Sequence, residues 1–207
     1  MRVGRFSHRM AGEGWQVSGV EFSEEAAGRA RALGYPVHAG SLETAPAPAS
    51  SAERYDLIAG WMVLEHLHDP VCALRQLHGW AKPGARLALS VPNANSLEFS
   101  VFQDAWFALQ LPNHLFHFTP RTISAVLEAG GWRIDKLFHQ REISNLVASI
   151  GYAMKDRHWF PGLANSLIAY PWSNGHLYVI YHPLACLLSA CGQTGRMTVW
   201  AKRKEDD

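Results

Sequence analysis

YDLIAGWMVLEHLHDPVCALRQLHGWAKPGARLALSVPN, residues Tyr55 to Asn93, is the stretch that decides the fold. It reads as strand, sharp loop, helix, turn and strand. The apolar run Leu57, Ile58, Ala59 ends in a loop carrying Trp61, Glu65 and His66. Asp69 and Pro70 then open a helix as N-cap and first helical residue. Val71, Leu74, Leu77 and Trp80 recur at helical spacing and give it one apolar face. Pro83-Gly84 stops the helix and turns the chain. Arg86 to Val91 is dense in apolar residues, the pattern of a strand buried on both faces. Strand, crossover helix and strand make one βαβ unit. The loop after the first strand opens at its carboxyl end, where open α/β sheets bind ligands.

Toward the N-terminus the pattern continues. A helix runs from Gly4 through Met10 until Gly12 and Gly14 end it. Gln16 to Val20 reads as a strand with Glu21 at its carboxyl end. Ser23 is an N-cap with Glu24 and Glu25 in the first turn, where the helix dipole favours negative charge. That helix reaches about Leu33, and Gly34 is a C′ residue. Pro36 to Ala39 is a brief strand, followed by Gly40-Ser41-Leu42-Glu43 and a Pro- and Ala-rich surface loop. Beyond Asn93, Leu97 to Leu109 reads as helix, and Leu111 to Pro120 as an aromatic- and His-rich loop. Thr119-Pro120 caps a helix whose Ile123, Val126 and Leu127 share a face. Trp132 to His139 is a strand, and Ile143 to Cys191 a set of apolar helical pieces broken by Pro161, Pro171 and Pro183. Met197 to Lys202 is a last strand. Alternating strand and helix predicts an α/β fold with a mainly parallel sheet.

Composition narrows the function classes. The chain has 207 residues, 48% hydrophobic and 18% charged, with a formal net charge of +1. No basic run suits an electrostatic nucleic-acid binder. Cys72, Cys186 and Cys191 are odd in number and lack metal-type spacing, which points to a reducing, cytoplasmic compartment. No secretory signal is visible after Met1. Leu163 to Cys191 is interrupted by Asn165, Asn174, His176 and His182, and falls short of a clean ~20-residue spanning segment.

Three places carry candidate chemistry. An acidic residue at Glu21, after a strand and before a capped helix, suits hydrogen bonding to the ribose hydroxyls of a nucleoside cofactor; as a plain residue it is a solvated loop carboxylate. In the loop Trp61 to Asp69, Trp61 and Met62 could hold the adenine or sulfonium end of a cofactor. Val63, Leu64 and Leu67 read as core packing there, Glu65 and His66 as capping or pairing groups, and His68 as exposed. His114 and His117 form an H-x-x-H lacking a third ligand or a Glu, so a zinc site is not predicted. One of them could serve as a general base, since histidine titrates near neutrality; otherwise they fix the loop by hydrogen bonds. No G-x-S-x-G and no Walker loop supports a hydrolase or kinase.

Taken together, V-x-G-V-E-x-S (Val17 to Ser23), YDLI…W-x-V-LEHL-x-DP (Tyr55 to Pro70), K-PG (Lys82 to Gly84), V-PN (Val91 to Asn93) and L-P-x-H-L-x-HFTPRT (Leu111 to Thr122) resemble the class I S-adenosylmethionine-dependent methyltransferases. The branch is the small-molecule group that includes ubiquinone-biosynthesis-like enzymes. The resemblance covers roughly residues 4 to 139 and the last strand. It implies a Rossmann-like, mostly parallel sheet with flanking helices, and S-adenosyl-L-methionine as cofactor. It places Glu21 with Phe22 at the ribose, Ser41, Leu42 and Glu43 by the adenine, and Trp61 and Met62 at the closure of the cofactor pocket. It places His114 and His117 on the acceptor side as candidate catalytic residues; no metal is expected. The family opens with a strand and the loop D-x-G-C-G-x-G-R-F; here only Gly4 and the following Arg-Phe match, so the resemblance implies an N-terminally incomplete core.

The expected organisation is a methyltransferase-like core over 1–142, an apolar helical insertion or cap over 143–196, and a last core strand and polar tail over 197–207. The expected activity is methyl transfer to an O, N or C atom of a small-molecule acceptor; the helices after Ile143 read first as core packing, and otherwise suit an apolar or lipid-linked acceptor. No nucleic-acid partner and no transmembrane segment are expected; the expected location is cytoplasmic, with peripheral membrane association left open. The alternatives are a non-catalytic methyltransferase-like fragment or interaction module, and a nicotinamide-dependent oxidoreductase, which also uses an acidic residue after the second strand.

Overall fold

The computed structural model of the chain describes residues 5–172 and 178–205. They belong to two units, 1–53 and 54–207, so the unit boundary falls inside the 1–142 segment.

The first unit contains α1 (Arg5–Gly12), β1 (Gly19–Glu21), α2 (Glu24–Ala32) and β2 (Val37–Ala39). Ser23 caps α2 by accepting the Ala26 N–H. β1 and β2 pair in parallel, Gly19 opposite Val37 and Glu21 opposite Ala39. The strand predicted at Gln16 to Val20 is therefore shorter and later. Only the residues opposite Val37–Ala39 find ladder partners, and unpaired backbone does not hold as strand.

The second unit contains β3 (Tyr55–Trp61), α3 (Pro70–Trp80), β4 (Ala81–Pro92), α4 (Leu97–Phe102), α5 (Pro120–Ala129), β5 (Trp132–His139), α6 (Ser144–Asp156), α7 (Pro161–Ala169), α8 (Tyr178–Ala190) and β6 (Arg196–Arg203). Its sheet has the order β3-β4-β6-β5. β3 and β4 are parallel, and β6 runs antiparallel to both β4 and β5. Three of its four strands therefore point the same way. Asp69 accepts the Cys72 N–H at 2.8 Å and Pro70 begins α3. Helix α3 ends at Trp80 and the ladder starts at once, with Ala81 opposite Tyr55. Leu57 then faces Arg86, so Lys82 to Ala85 bulges outward through Gly84 at φ 74°. The Pro83-Gly84 turn thus interrupts β4 instead of preceding it.

The core is the apolar face of α3 and α5 against the sheet: Leu74, Leu87, Val91, Ile123, Leu127 and Trp132 are buried. Each such aliphatic side chain contributes about 1.5–3 kcal/mol on burial. Thr119 and Thr122 form a reciprocal capping box at the start of α5. The HFTPRT motif is therefore, in its second half, a helix start. Asn93 of the V-PN motif is fully buried. Its side chain donates to the Thr194 carbonyl at 3.0 Å and its backbone N–H to Gly195, tying the end of β4 to the approach to β6. The helix predicted over Leu97 to Leu109 stops at Phe102, because Gln103 takes φ 47° and the chain leaves as a short 3-10 turn.

Between β5 and β6, α6 and α7 pack so closely that a Cβ at Gly151 would lie 2.8 Å from the Ala164 carbonyl. The described outward face of α8 is apolar: Val179, Ile180, Pro183, Leu184 and Leu187 are exposed. Its inward residues anchor it, with Ser189 donating to the His139 carbonyl and Tyr181 to Glu142. No helix among the described residues is long and apolar enough to cross a membrane.

Candidate functional site

In the first unit, parallel pairing brings the carboxyl ends of β1 and β2 to one edge. Glu21 ends β1, and Gly40 donates its N–H to the Glu21 carbonyl at 2.9 Å. Ser41, Leu42 and Glu43 follow at once, the last two in a 3-10 turn. The sheet therefore places together the acidic residue and the segment assigned to the two ends of a nucleoside. One Glu21 oxygen accepts the Ser23 N–H at 3.0 Å, which holds the carboxylate against the start of α2. Phe22 is 84% exposed, so it offers an open apolar face. Gly4 lies outside the described residues.

In the second unit, Trp61 ends β3, and the chain turns so sharply that Met62 adopts φ 56°. A non-glycine residue there is uncommon and costs of order 1 kcal/mol or more, a strain that collects at ligand-binding turns. The Met62 N–H is held by the Ser90 carbonyl at 2.8 Å. The turn that follows, Leu64–His66, buries Leu64 and Glu65 and leaves His66 and His68 exposed. Val63 is 46% exposed. It was expected in the core, but the turn after Met62 points it outward.

The tertiary fold joins two motifs far apart in sequence. The Glu65 carbonyl accepts the N–H groups of Leu115 and Phe116 at 2.8 and 3.3 Å, and His66 Nδ1 bonds the Asn113 carbonyl at 2.9 Å. The LPNHLFHF loop is thereby strapped onto the LEH turn. His114 is buried, with Nδ1 on the Ala108 carbonyl at 2.7 Å, and His117 Nε2 bonds the Leu109 carbonyl at 2.9 Å. Carbonyls only accept, so each of these ring nitrogens carries its proton. His114 packs edge-on against His66, ring centroids 4.7 Å apart, closer than the 6.2 Å to His117. Glu65, His66 and His114 each present a donor atom, and these atoms lie within 4.8 Å of one another.

Charge is buried around this point. Burial pushes the Glu65 carboxyl up to about 7, only partly offset by its own backbone N–H, His66 and Arg196. Burial likewise raises Glu98 to about 7, against the hydrogen bond from Gly195. Burial lowers His114 and Arg196 below their ordinary values. Arg196 donates to Asn145 Oδ1 at 2.9 Å. The reading from sequence missed Glu98, Asn145 and Arg196. The one available signal was a lone charge amid apolar residues, which sequence alone does not separate from a surface charge.

A family model described as "Methyltransferase domain" matches residues 2–137, about two thirds of the chain. The chain belongs to the methyltransferase-domain family. A relative of this methyltransferase-domain chain is the ubiquinone biosynthesis O-methyltransferase of Aeromonas salmonicida (strain A449), 25% identical over 154 residues. The match spans 69% of this chain and 65% of that relative's length. Among solved structures, an S-adenosylmethionine dependent methyltransferase from Mesorhizobium loti shares the fold at a TM-score of 0.58 and 18% identity, over 97% of this chain and 87% of the other. The [4+2]-cyclase SpnF shares it at 0.59 and 18%, over 99% of this chain and 72% of the other.

Proposed function

We propose that this chain transfers a methyl group from S-adenosylmethionine to a small-molecule acceptor. The observation that carries the reading is the family match over residues 2–137, which includes the Glu21 strand end and the His117 loop. In this reading Glu21 accepts hydrogen bonds from the cofactor's ribose beside Phe22, and Ser41, Leu42 and Glu43 line the adenine. Trp61 and Met62 close the cofactor pocket. When bound, the cofactor supplies an already activated methyl group. The chain's own part is to align donor and nucleophile and to exclude water.

A base is needed where the acceptor carries a proton of high pKa. His117 and His114 are the candidates, and His117 is favoured. Its Nε2–H is held by the Leu109 carbonyl, which leaves Nδ1 to accept a proton, whereas His114 is buried. Residues 143–196 cap the acceptor side in this proposal. An apolar or lipid-linked acceptor, met at a membrane surface, suits the exposed apolar face of α8. The second reading is a module of this fold that does not transfer methyl groups. The likeness to a [4+2]-cyclase over 99% of this chain favours keeping it, since one fold hosts many chemistries.

Calorimetric titration of the 207-residue chain with S-adenosylmethionine tests the first reading. Saturable 1:1 binding, weakened about 10- to 100-fold by Glu21→Ala through loss of hydrogen bonds to a charged group, supports it. Absence of binding by the folded chain sinks it in favour of the second.

A further inference from the structure

We propose that Glu65, His66 and His114 form a binding site for a divalent transition-metal ion. Three independent features point there. First, the donor atoms converge: one from each residue, all within 4.8 Å of one another. Second, the two imidazoles are already set in a ligand's tautomer. His66 and His114 each give the Nδ1 proton to a backbone carbonyl, of Asn113 and Ala108 respectively. Nε2 is then the nitrogen that carries each ring's lone pair, as in metal sites where the outer ring N–H is fixed by a carbonyl. Third, the Glu65 side chain has no exposed surface, and neither of its oxygens accepts a hydrogen bond from another residue among those described. A buried carboxylate to which no other residue donates a hydrogen bond is costly, and a bound cation offsets that cost. Arg196, which acts on Glu65 electrostatically, gives one N–H to Asn145 Oδ1, and no hydrogen bond joins it to either Glu65 oxygen.

The donor chemistry names the class of ion. Two imidazole nitrogens and one carboxylate oxygen suit zinc and its neighbours rather than magnesium or calcium, which take all-oxygen shells. Three protein ligands leave a position for water or an acceptor oxygen. That last role rests on the methyl-transfer reading; ion binding does not, and is measured without it. The H-x-x-H pair of the sequence is not the ligand pair, since His114 faces His66 and not His117.

The test is titration of the purified chain, freed of metal with chelator, with Zn2+ by calorimetry and with Co2+ by visible absorption. The expected result is one ion per chain, a Co2+ ligand-field band, and a Zn2+-dependent rise in melting temperature. His66→Ala, at an exposed position, weakens binding at least ~10-fold and removes the melting shift, a ligand loss being no milder than loss of an outer-shell partner. Glu65→Gln does the same, while His68→Ala, two residues from His66 and outside the cluster, leaves binding unchanged. Failure of the wild-type chain to bind either ion overturns the proposal. So does binding that persists within twofold in both His66→Ala and Glu65→Gln. Failure of S-adenosylmethionine binding with intact Zn2+ binding would count against methyl transfer alone.

Discussion

The Glu98 carboxylate lies directly over Gly195: it accepts the Gly195 N–H at 3.1 Å, and a Cβ built on Gly195 would sit 2.1 Å from Glu98 Oε2. A helix side chain from α4 is thus locked against the backbone that leads into β6. Glu98 is fully buried, so it has no open rotamer to retreat into. Gly195→Ala is expected to cost about 1–3 kcal/mol, as overpacking in a filled core does. The urea midpoint of unfolding measures it; an unchanged midpoint would show that the site relaxes freely.

The same contact sets a pH dependence. Burial disfavours the charge of the Glu98 carboxyl and pushes it up to about 7 from an ordinary 4.5. Between those values the folded chain holds a proton that the unfolded chain has lost. Stability is therefore greatest near the lower end and falls as pH rises through the window. The whole effect for one such group is on the order of 3 kcal/mol. Glu65 shifts in the same direction, so Glu98→Gln is expected to remove roughly half of the slope in metal-free protein. Denaturant unfolding at pH 5, 6 and 7 decides; a wild-type slope of the opposite sign would refute the assignment.

Trp132 donates its indole N–H to the Leu74 carbonyl at 3.0 Å, a buried bond that clamps α3 to β5. Trp132→Phe keeps an aromatic ring but loses the donor and some volume. The expected destabilisation is about 2 kcal/mol, from a net hydrogen bond plus a small cavity. Thermal unfolding by circular dichroism is the measurement. A change within a few tenths of a kcal/mol would mean that the clamp is already slack.

His117→Gln preserves a donor toward the Leu109 carbonyl and removes the base. If His117 abstracts the acceptor's proton, turnover falls about 10²- to 10⁴-fold while affinity for S-adenosylmethionine is unchanged. Equal loss of cofactor binding and turnover would assign His117 to loop structure instead.

Much of the fold was legible because its signals are local. Asp69-Pro70 and Thr119-Pro120 announce helix starts through the hydrogen bonds their own neighbours need, and both are found where the sequence places them. Trp132 to His139 alternates and forms its strand over the same residues. The misses are non-local. β1 is set by its pairing partner, the bulge at Lys82 to Ala85 by the register against β3, and the exposure of Val63 by a left-handed Met62.

The site divides along the same line. From the sequence alone came the family pattern and the individual residues Glu21, Trp61, His114 and His117. The sequence could not say that the LEH turn and the H-x-x-H loop are one structure. That follows from two backbone N–H groups, of Leu115 and Phe116, needing an acceptor and finding it in the Glu65 carbonyl. It could not say either that Glu65, Glu98 and Arg196 are inside. Burial belongs to packing, and a carboxylate's charge and partners are decided only when the rest of the chain closes over it.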